Sequence, residues 1–289
     1  MICDPFDYAQ DRFSICDCKS AIGNRKLTMK SDRLDPDELK ANLGTNRIGG
    51  KILVYRSTSS TNDVAAEYAK NKENDGLVIF AEEQTAGRGR AGGKWSSGRA
   101  DSILCSIVLT ENPLPPHVLS LACAVAVAEA VGRPGKDHAK IKWPNDILLN
   151  GRKVGGILLE SKTGPAGGSF IVGVGINCHQ QPESFPEELR SIATSIDIES
   201  GSVVDRISLA KRLLTSIEHW LDAAQESRQK MIEKWCELSI QLGHRTAIIF
   251  NGVKFTGHCI GIDPEKGLIL QLDAGGVRMF DAAHTTIAK

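Results

Sequence analysis

The chain has 289 residues, 41% of them hydrophobic, enough for one large domain with a full core and a small satellite. Lys+Arg and Asp+Glu both number 35, so the formal net charge is +0. That balance argues against a dedicated nucleic-acid binder, whose affinity rests on neutralising phosphates with a basic excess.

Residues 1–28 are polar and mixed in charge, with no sustained period of 2 or 3.6. They read as a disordered leader, or as an upstream start ahead of a natural Met29. LDPDELKANL (34–43) predicts a short amphipathic helix capped by Asp35, with Pro36 at its first position. KILVYRS (51–57) is a strand, Ser60 or Thr61 caps a helix to about Lys70, and GLVIFAEEQ (76–84) is a second strand. The glycine-rich loop AGRGRAGGKW (86–95) precedes another strand, ADSILCSIVLT (100–110). HVLSLACAVAVAEAV (117–131) is too short to span a bilayer and carries Glu129, so it reads as a buried helix stopped by Gly132 and Pro134.

Short strands follow in AKIKW (139–143), ILLNGRKVGGILLES (147–161) and GSFIVGVGIN (168–177). Asn150-Gly151 between apolar runs is a strong hairpin signal, and such tight connections force antiparallel neighbours. The fold class expected is α+β: a mixed, largely antiparallel sheet with helices on one face. Residues 205–237 carry Ile207, Leu213, Leu214, Ile217, Trp220 and Leu221 at helical spacing, giving one or two helices. From Gly243 the pattern alternates like strands, with turns at Asn251-Gly252, Asp263–Gly267 and Asp273–Gly276, which suggests a small barrel. The expected division is therefore 1–47 leader and short helix, 48–238 main domain and 239–289 barrel.

The eight cysteines are scattered, four of the last five in apolar surroundings, and read as free thiols in a reducing cytoplasm. Cys3, Cys16 and Cys18 lack a fourth ligand, since residues 1–47 hold no histidine and no other cysteine, so no complete zinc site is expected.

Gly87-Arg88-Gly89-Arg90-Ala91-Gly92 formally matches a dinucleotide fingerprint, but Gly93–Gly98 cannot supply the helix that motif needs. A Walker A loop fails because Trp95 follows Lys94. Two readings stay level: a solvated basic turn, or a glycine-hinged loop that brings Arg88, Arg90 and Lys94 to an anion. Lys142-Trp143-Pro144-Asn145-Asp146 alone reads as a type I turn, although it gathers polar groups at one strand end. The glycines of Lys153-Val154-Gly155-Gly156 weaken a strand unless something approaches its backbone, and Gly173 and Gly175 repeat the theme. Lys153 unaided is a surface charge, and His179 a structural histidine. With no GxSxG and no Cys/His pair, a nucleophile of the protein's own is not expected.

In combination these segments are specific. Ser60-Thr61-Asn62, Glu83–Arg90, Lys94-Trp95, Lys142–Asp146, Lys153–Ile157 and Gly173–Asn177 occur in the order seen in biotin protein ligases. The chain closely resembles that family from about residue 34 onward. The resemblance implies a biotin/lipoate ligase-like catalytic domain followed by an SH3-like barrel. It also implies formation of biotinyl-5'-AMP from biotin and ATP, then transfer of biotin to a lysine of a biotin carboxyl carrier protein of a biotin-dependent carboxylase. By similarity, Ser60, Thr61, Asn62 and Gln84 hold the ureido ring, while Gly87, Arg88, Gly89 and Arg90 close over carboxylate and phosphate. Lys153 neutralises the charge where those groups meet, and Gly156 and Gly175 let biotin lie on the strands. Lys94, Trp95, Lys142, Asn145 and Asn177 contact the nucleotide. Mg2+ is expected with the triphosphate, Asp146 being a candidate to organise it.

Ala91 and Gly93 stand where some members carry further arginines, and Gly155 where alanine is commoner. Residues 1–47 are too short and poorly patterned for the winged helix-turn-helix of bifunctional members, so no DNA binding is expected, and no membrane. The rival readings are a lipoate ligase and a non-catalytic biotin-sensing regulator; monomer and homodimer both stay open.

Overall fold

The computed structural model describes residues 32–132, 139–164 and 167–288. The expected leader over 1–28 lies outside the described residues. The first element is the helix α1 (Pro36–Lys40), where the Asp35 side chain accepts from the backbone N–H groups of Asp37 and Glu38.

One seven-stranded sheet forms the body. Its strands are β1 (Ile52–Tyr55), β2 (Val78–Ala81), β3 (Ser102–Leu109), β4 (Ala139–Lys142), β5 (Asp146–Leu149), β6 (Arg152–Gly164) and β7 (Gly167–Asn177). They lie in the order β1-β2-β3-β7-β6-β5-β4. Only the first pair is parallel, because α2 (Thr61–Tyr68) makes a crossover between β1 and β2; every other pairing is antiparallel. Asn150 and Gly151 both take positive φ, 49° and 83°, and turn β5 tightly into β6.

Period-2 alternation divides the sheet into two faces. Val78, Phe80, Ile103, Cys105, Ile107 and Val172 point to the main core, against α3 (Pro116–Val131), α5 (Arg206–Glu226) and α6 (Arg228–Leu238). α3 is apolar all round and accordingly buried along nearly its whole length. Ile79, Ala81, Val108 and Ile171 point the other way, against Ala65 and Ala69 of the α2 segment. The expected layer of helices on one face is thus formed by α3, α5 and α6, while α2 covers part of the opposite face. That opposite face carries the site.

A short helix, α4 (Ile196–Ser200), precedes α5. The C-terminal strands β8 (Arg245–Phe250), β9 (Val253–Asp263), β10 (Gly267–Leu272), β11 (Val277–Phe280) and β12 (Thr285–Ile287) form an antiparallel sheet ordered β11-β10-β9-β8-β12. It joins the body at β4, where Ile240 N donates to Ile141 O at 3.0 Å and Trp143 N donates to Gln241 Oε1 at 3.1 Å. The five cysteines among the described residues are free, and burial pushes the thiols of Cys105, Cys123 and Cys178 up to about 12. Among the described residues no helix is long and apolar enough to cross a membrane.

Candidate active site

A cavity of about 430 Å³ opens on the α2 face of the sheet, between the first turn of α2, the loop 84–95, the turn 142–146, the glycine-bearing parts of β6 and β7, and β12 of the C-terminal sheet.

Ser60 is the N-cap residue of α2, yet its side chain makes no capping bond. The cap comes from Gln84, whose Oε1 accepts from Thr61 N at 2.7 Å and from Thr61 Oγ1 at 3.0 Å. This fixes the Gln84 amide, spares the Ser60 hydroxyl, and holds the helix start against the end of β2. Asn62 is braced at both ends: Oδ1 accepts from Ser106 Oγ at 2.6 Å, and Nδ2 donates to Glu160 Oε2 at 3.2 Å. Gly173 makes room for it, since a Cβ there would stand 2.3 Å from Asn62 Oδ1.

The loop is a small hairpin. Trp95 N donates to Gly87 O at 3.0 Å and Gly89 N to Gly93 O at 2.7 Å, with Arg88 bridged to Lys94 between them. Ala91 at φ 51° and Gly92 at φ 77° close its tip. Arg90 leaves the tip to donate to Asn145 Oδ1 at 3.3 Å and to the Ala282 carbonyl of the C-terminal sheet. Burial lowers its pKa, opposed by Asp146. The Trp95 indole lies on the glycine floor, with ring atoms 2.6 Å from where a Gly175 Cβ would stand and 3.4 Å from that of Gly156. Its Nε1 is buried without a partner.

A register shift opposite Ile147/Leu148 bends β6 at Lys153–Gly155. Lys153 Nζ then sits 2.5 Å from Asp146 Oδ1 and 5.9 Å from the centre of the Trp95 ring. The turn before Asp146 contains a cis Trp143–Pro144 bond. Asn145 Nδ2 donates to Ile157 O at 2.9 Å, locking this turn to β6.

Most predicted site residues converge here: Ser60, Thr61, Asn62, Gln84, Arg88, Gly89, Arg90, Lys94, Trp95, Lys142, Asn145, Asp146, Lys153, Gly156 and Gly175 all border the cavity. Three differ from expectation. Gly87 packs beneath the loop, against Trp95 O and Gln84 Nε2. Asn177 donates to Thr194 O at 2.9 Å and accepts from Gln180 Nε2 at 3.3 Å, at the end of β7 and outside the cavity lining. Arg88 turns its guanidinium to Asp63 and Glu160 rather than to the cavity centre. His179 is structural, its ring nitrogens 2.9 Å from Asp32 Oδ2 and 2.7 Å from Asp197 Oδ2.

The sequence reading missed the braces Ser106, Asp63 and Glu160, and the wall from Ala283 to Ile287. Ser106 and Glu160 carried a weak signal, as polar residues on strand positions sharing a face with Asn62; the wall carried none.

Comparison with known proteins agrees with this geometry. The family model described as the biotin/lipoate A/B protein ligase family matches residues 54–177. The bifunctional ligase/repressor BirA of Bacillus subtilis is 34% identical over 262 residues, which is 89% of this chain and 80% of that protein. The biotin–[acetyl-CoA-carboxylase] ligase of Mycobacterium tuberculosis is 32% identical over 258 residues, 85% of this chain and 93% of that protein. The solved structure of the biotin protein ligase from Aquifex aeolicus in complex with biotin and ATP superposes with a TM-score of 0.71 at 26% identity, covering 83% of this chain and 99% of that one. With such relatives matched along most of its length, this chain belongs to the biotin/lipoate A/B protein ligase family.

Proposed function

We propose that this chain forms biotinyl-5'-AMP from biotin and ATP and then transfers biotin to a lysine of a biotin carboxyl carrier protein. It is a ligase, and the relatives named for biotin favour biotin ligation over lipoate ligation and over a non-catalytic regulator. The observation that carries the mechanism is a cavity floored by the bare backbone of Gly156 and Gly175 and rimmed by Lys153, Arg90 and Lys94.

Both nucleophiles come from the substrates, so the protein's task is positioning and charge neutralisation. Ser60, Thr61, Asn62 and Gln84 supply donors and acceptors for the ureido ring. Lys153 and Arg90 meet the biotin carboxylate and α-phosphate, where negative charge builds as the carboxylate oxygen bonds to phosphorus and pyrophosphate leaves. Lys94, Lys142 and Asn145 border the nucleotide half. Trp95, which lies on the glycine floor in the protein alone, lifts to cover the adenylate. The acceptor lysine then attacks the acyl carbon, and AMP departs.

No group of three His, Cys, Asp or Glu suited to a metal occurs among the described residues. Mg2+ would arrive with the triphosphate; Asp146 is the cavity residue that would meet it, and the ion would spread the charge of the phosphate oxygens. We divide the chain at about residue 47 and about residue 238, into leader, catalytic domain and barrel. The unpaired thiols fit a reducing cytoplasm.

The test is mass spectrometry of a carrier domain incubated with the protein, ATP, and biotin or lipoate. One biotinyl group on one lysine is the expected product; labelling by lipoate alone overturns the reading.

A further inference from the structure

The loop over the cavity is fastened along its leading arm. Arg88 Nη1 donates to Asp63 Oδ1 at 2.6 Å, and Nη2 lies 3.3 Å from each carboxylate oxygen of Glu160. Burial alone would lower the Arg88 pKa, but the two carboxylates outweigh it and the net shift is upward. A guanidinium already faced by two carboxylates has little charge to offer a substrate anion, whereas Arg90 faces only neutral oxygens and Lys153 shares its charge with Asp146 at 2.5 Å.

Glu160 does a second thing. Its Oε2 accepts from Asn62 Nδ2 at 3.2 Å, so one carboxylate touches both the loop and an amide bordering the cavity. It can reach both because β5 pairs with β6 only as far as Gly156. Beyond that point β6 has no neighbour on this side among the described strands, and the loop arginine and the first turn of α2 come to it instead.

The geometry points to Glu160 and Asp63 as positioning residues: together they hold the loop shut through Arg88, and Glu160, with Ser106 at the amide's other end, sets the orientation of the Asn62 amide that reads the substrate's ring. Closing the loop and presenting the ring contact are thereby linked through one side chain. This inference rests on the cavity being the biotin site.

The two tasks separate by substitution. Glu160→Gln keeps an acceptor for Asn62 but removes the charge facing Arg88, whereas Glu160→Ala removes both. Asp63→Asn weakens only the loop. The measurement is limited trypsin digestion of the full chain, following cuts after Arg88, Arg90 and Lys94 by mass spectrometry, with KM and kcat for biotin-dependent pyrophosphate release alongside. Loop cutting should rise about 5-fold in all three variants, the scale of losing one exposed ion pair. Added salt should speed cutting of the parent more than of Glu160→Gln. KM for biotin should rise in the order Asp63→Asn, Glu160→Gln, Glu160→Ala, with kcat little changed and thermal midpoints close to the parent's.

Unchanged loop cutting in both Glu160 variants overturns the inference, whatever happens to activity. A KM for biotin that is the same in Glu160→Gln and Glu160→Ala overturns the Asn62 half. If cutting rises as expected while the parent makes no biotinyl-adenylate, the fastening stands and the biotin reading is what fails.

Discussion

At the scale of single residues, several side chains on the cavity wall have a partner that decides which way they point. Gln84 spends its oxygen on the start of α2, which turns its nitrogen toward the loop side. Lys153 is paired with Asp146 at 2.5 Å, so an arriving phosphate competes with a carboxylate for the ammonium. Replacing Lys153 or Arg90 by alanine should slow adenylation about 10²-fold, the size of losing one preorganised charge-stabilising donor. Pyrophosphate release from ATP and biotin measures it, and near-normal rates in either variant refute that residue's role. Gly173→Ala forces Asn62 to move, because the new Cβ would lie 2.3 Å from its Oδ1. Calorimetric titration should find biotin bound about 10-fold more weakly, the effect of disturbing a buried hydrogen-bonded amide. Unaltered affinity would mean that Asn62 is not a ring contact.

Among the elements, the one most dependent on a distant residue is the segment leading into β1. Glu218, buried on α5, accepts from the backbone N–H groups of Asn46, Arg47 and Ile48 at 2.5, 2.9 and 2.7 Å. Glu218→Leu leaves these donors without an acceptor and should cost about 3 kcal/mol of stability, since unpaired buried groups lose their full solvation. Urea unfolding tests this, with an unchanged midpoint as the contrary result. The helices themselves were legible in the sequence because their caps are local: Asp35 begins α1, and Asp205 accepts from Ser208 N to begin α5. The break between α5 and α6 falls at Ser227, whose hydroxyl accepts from Lys230 N, and helical periodicity passes through that position without marking it.

Across the whole molecule, one buried charge cluster ties the chain's first described residues to the end of β7. Arg206, wholly buried on α5, donates to Asp32 Oδ2 at 2.6 Å and to Glu82 Oε2 at 2.8 Å, while His179 lies between Asp32 and Asp197. The His179 pKa is raised, chiefly by its bond to Asp32 and then by Asp197, against burial. The folded state therefore holds this proton more tightly than the unfolded state. Its contribution is complete below the ordinary histidine value of 6.5 and disappears as pH rises through the raised value. Asp32 acts oppositely: burial would raise its pKa, His179 and Arg206 outweigh that, and its contribution is lost as pH falls through the lowered value. As pH rises above the ordinary histidine value of 6.5, unfolding midpoints should fall, and His179→Gln should flatten that slope. Equal slopes in parent and variant would show that the cluster does not carry it.

The sequence by itself determined the strands, the buried helix, the tight Asn150-Gly151 turn and the small C-terminal sheet, because turn chemistry, caps and hydrophobic periods act over a few residues. It also marked the loop with Arg90 and Lys94, the strand glycines and Lys153 as one chemistry, through their order along the chain. Only the tertiary structure decided which charges remain available. Arg88 is taken by Asp63 and Glu160, Asn177 by Thr194 and Gln180, and Arg90 reaches a carbonyl at Ala282. A side chain's partner is set by which segments the sheet order brings within hydrogen-bond range, and segments 72 or 192 residues apart leave no local pattern to read.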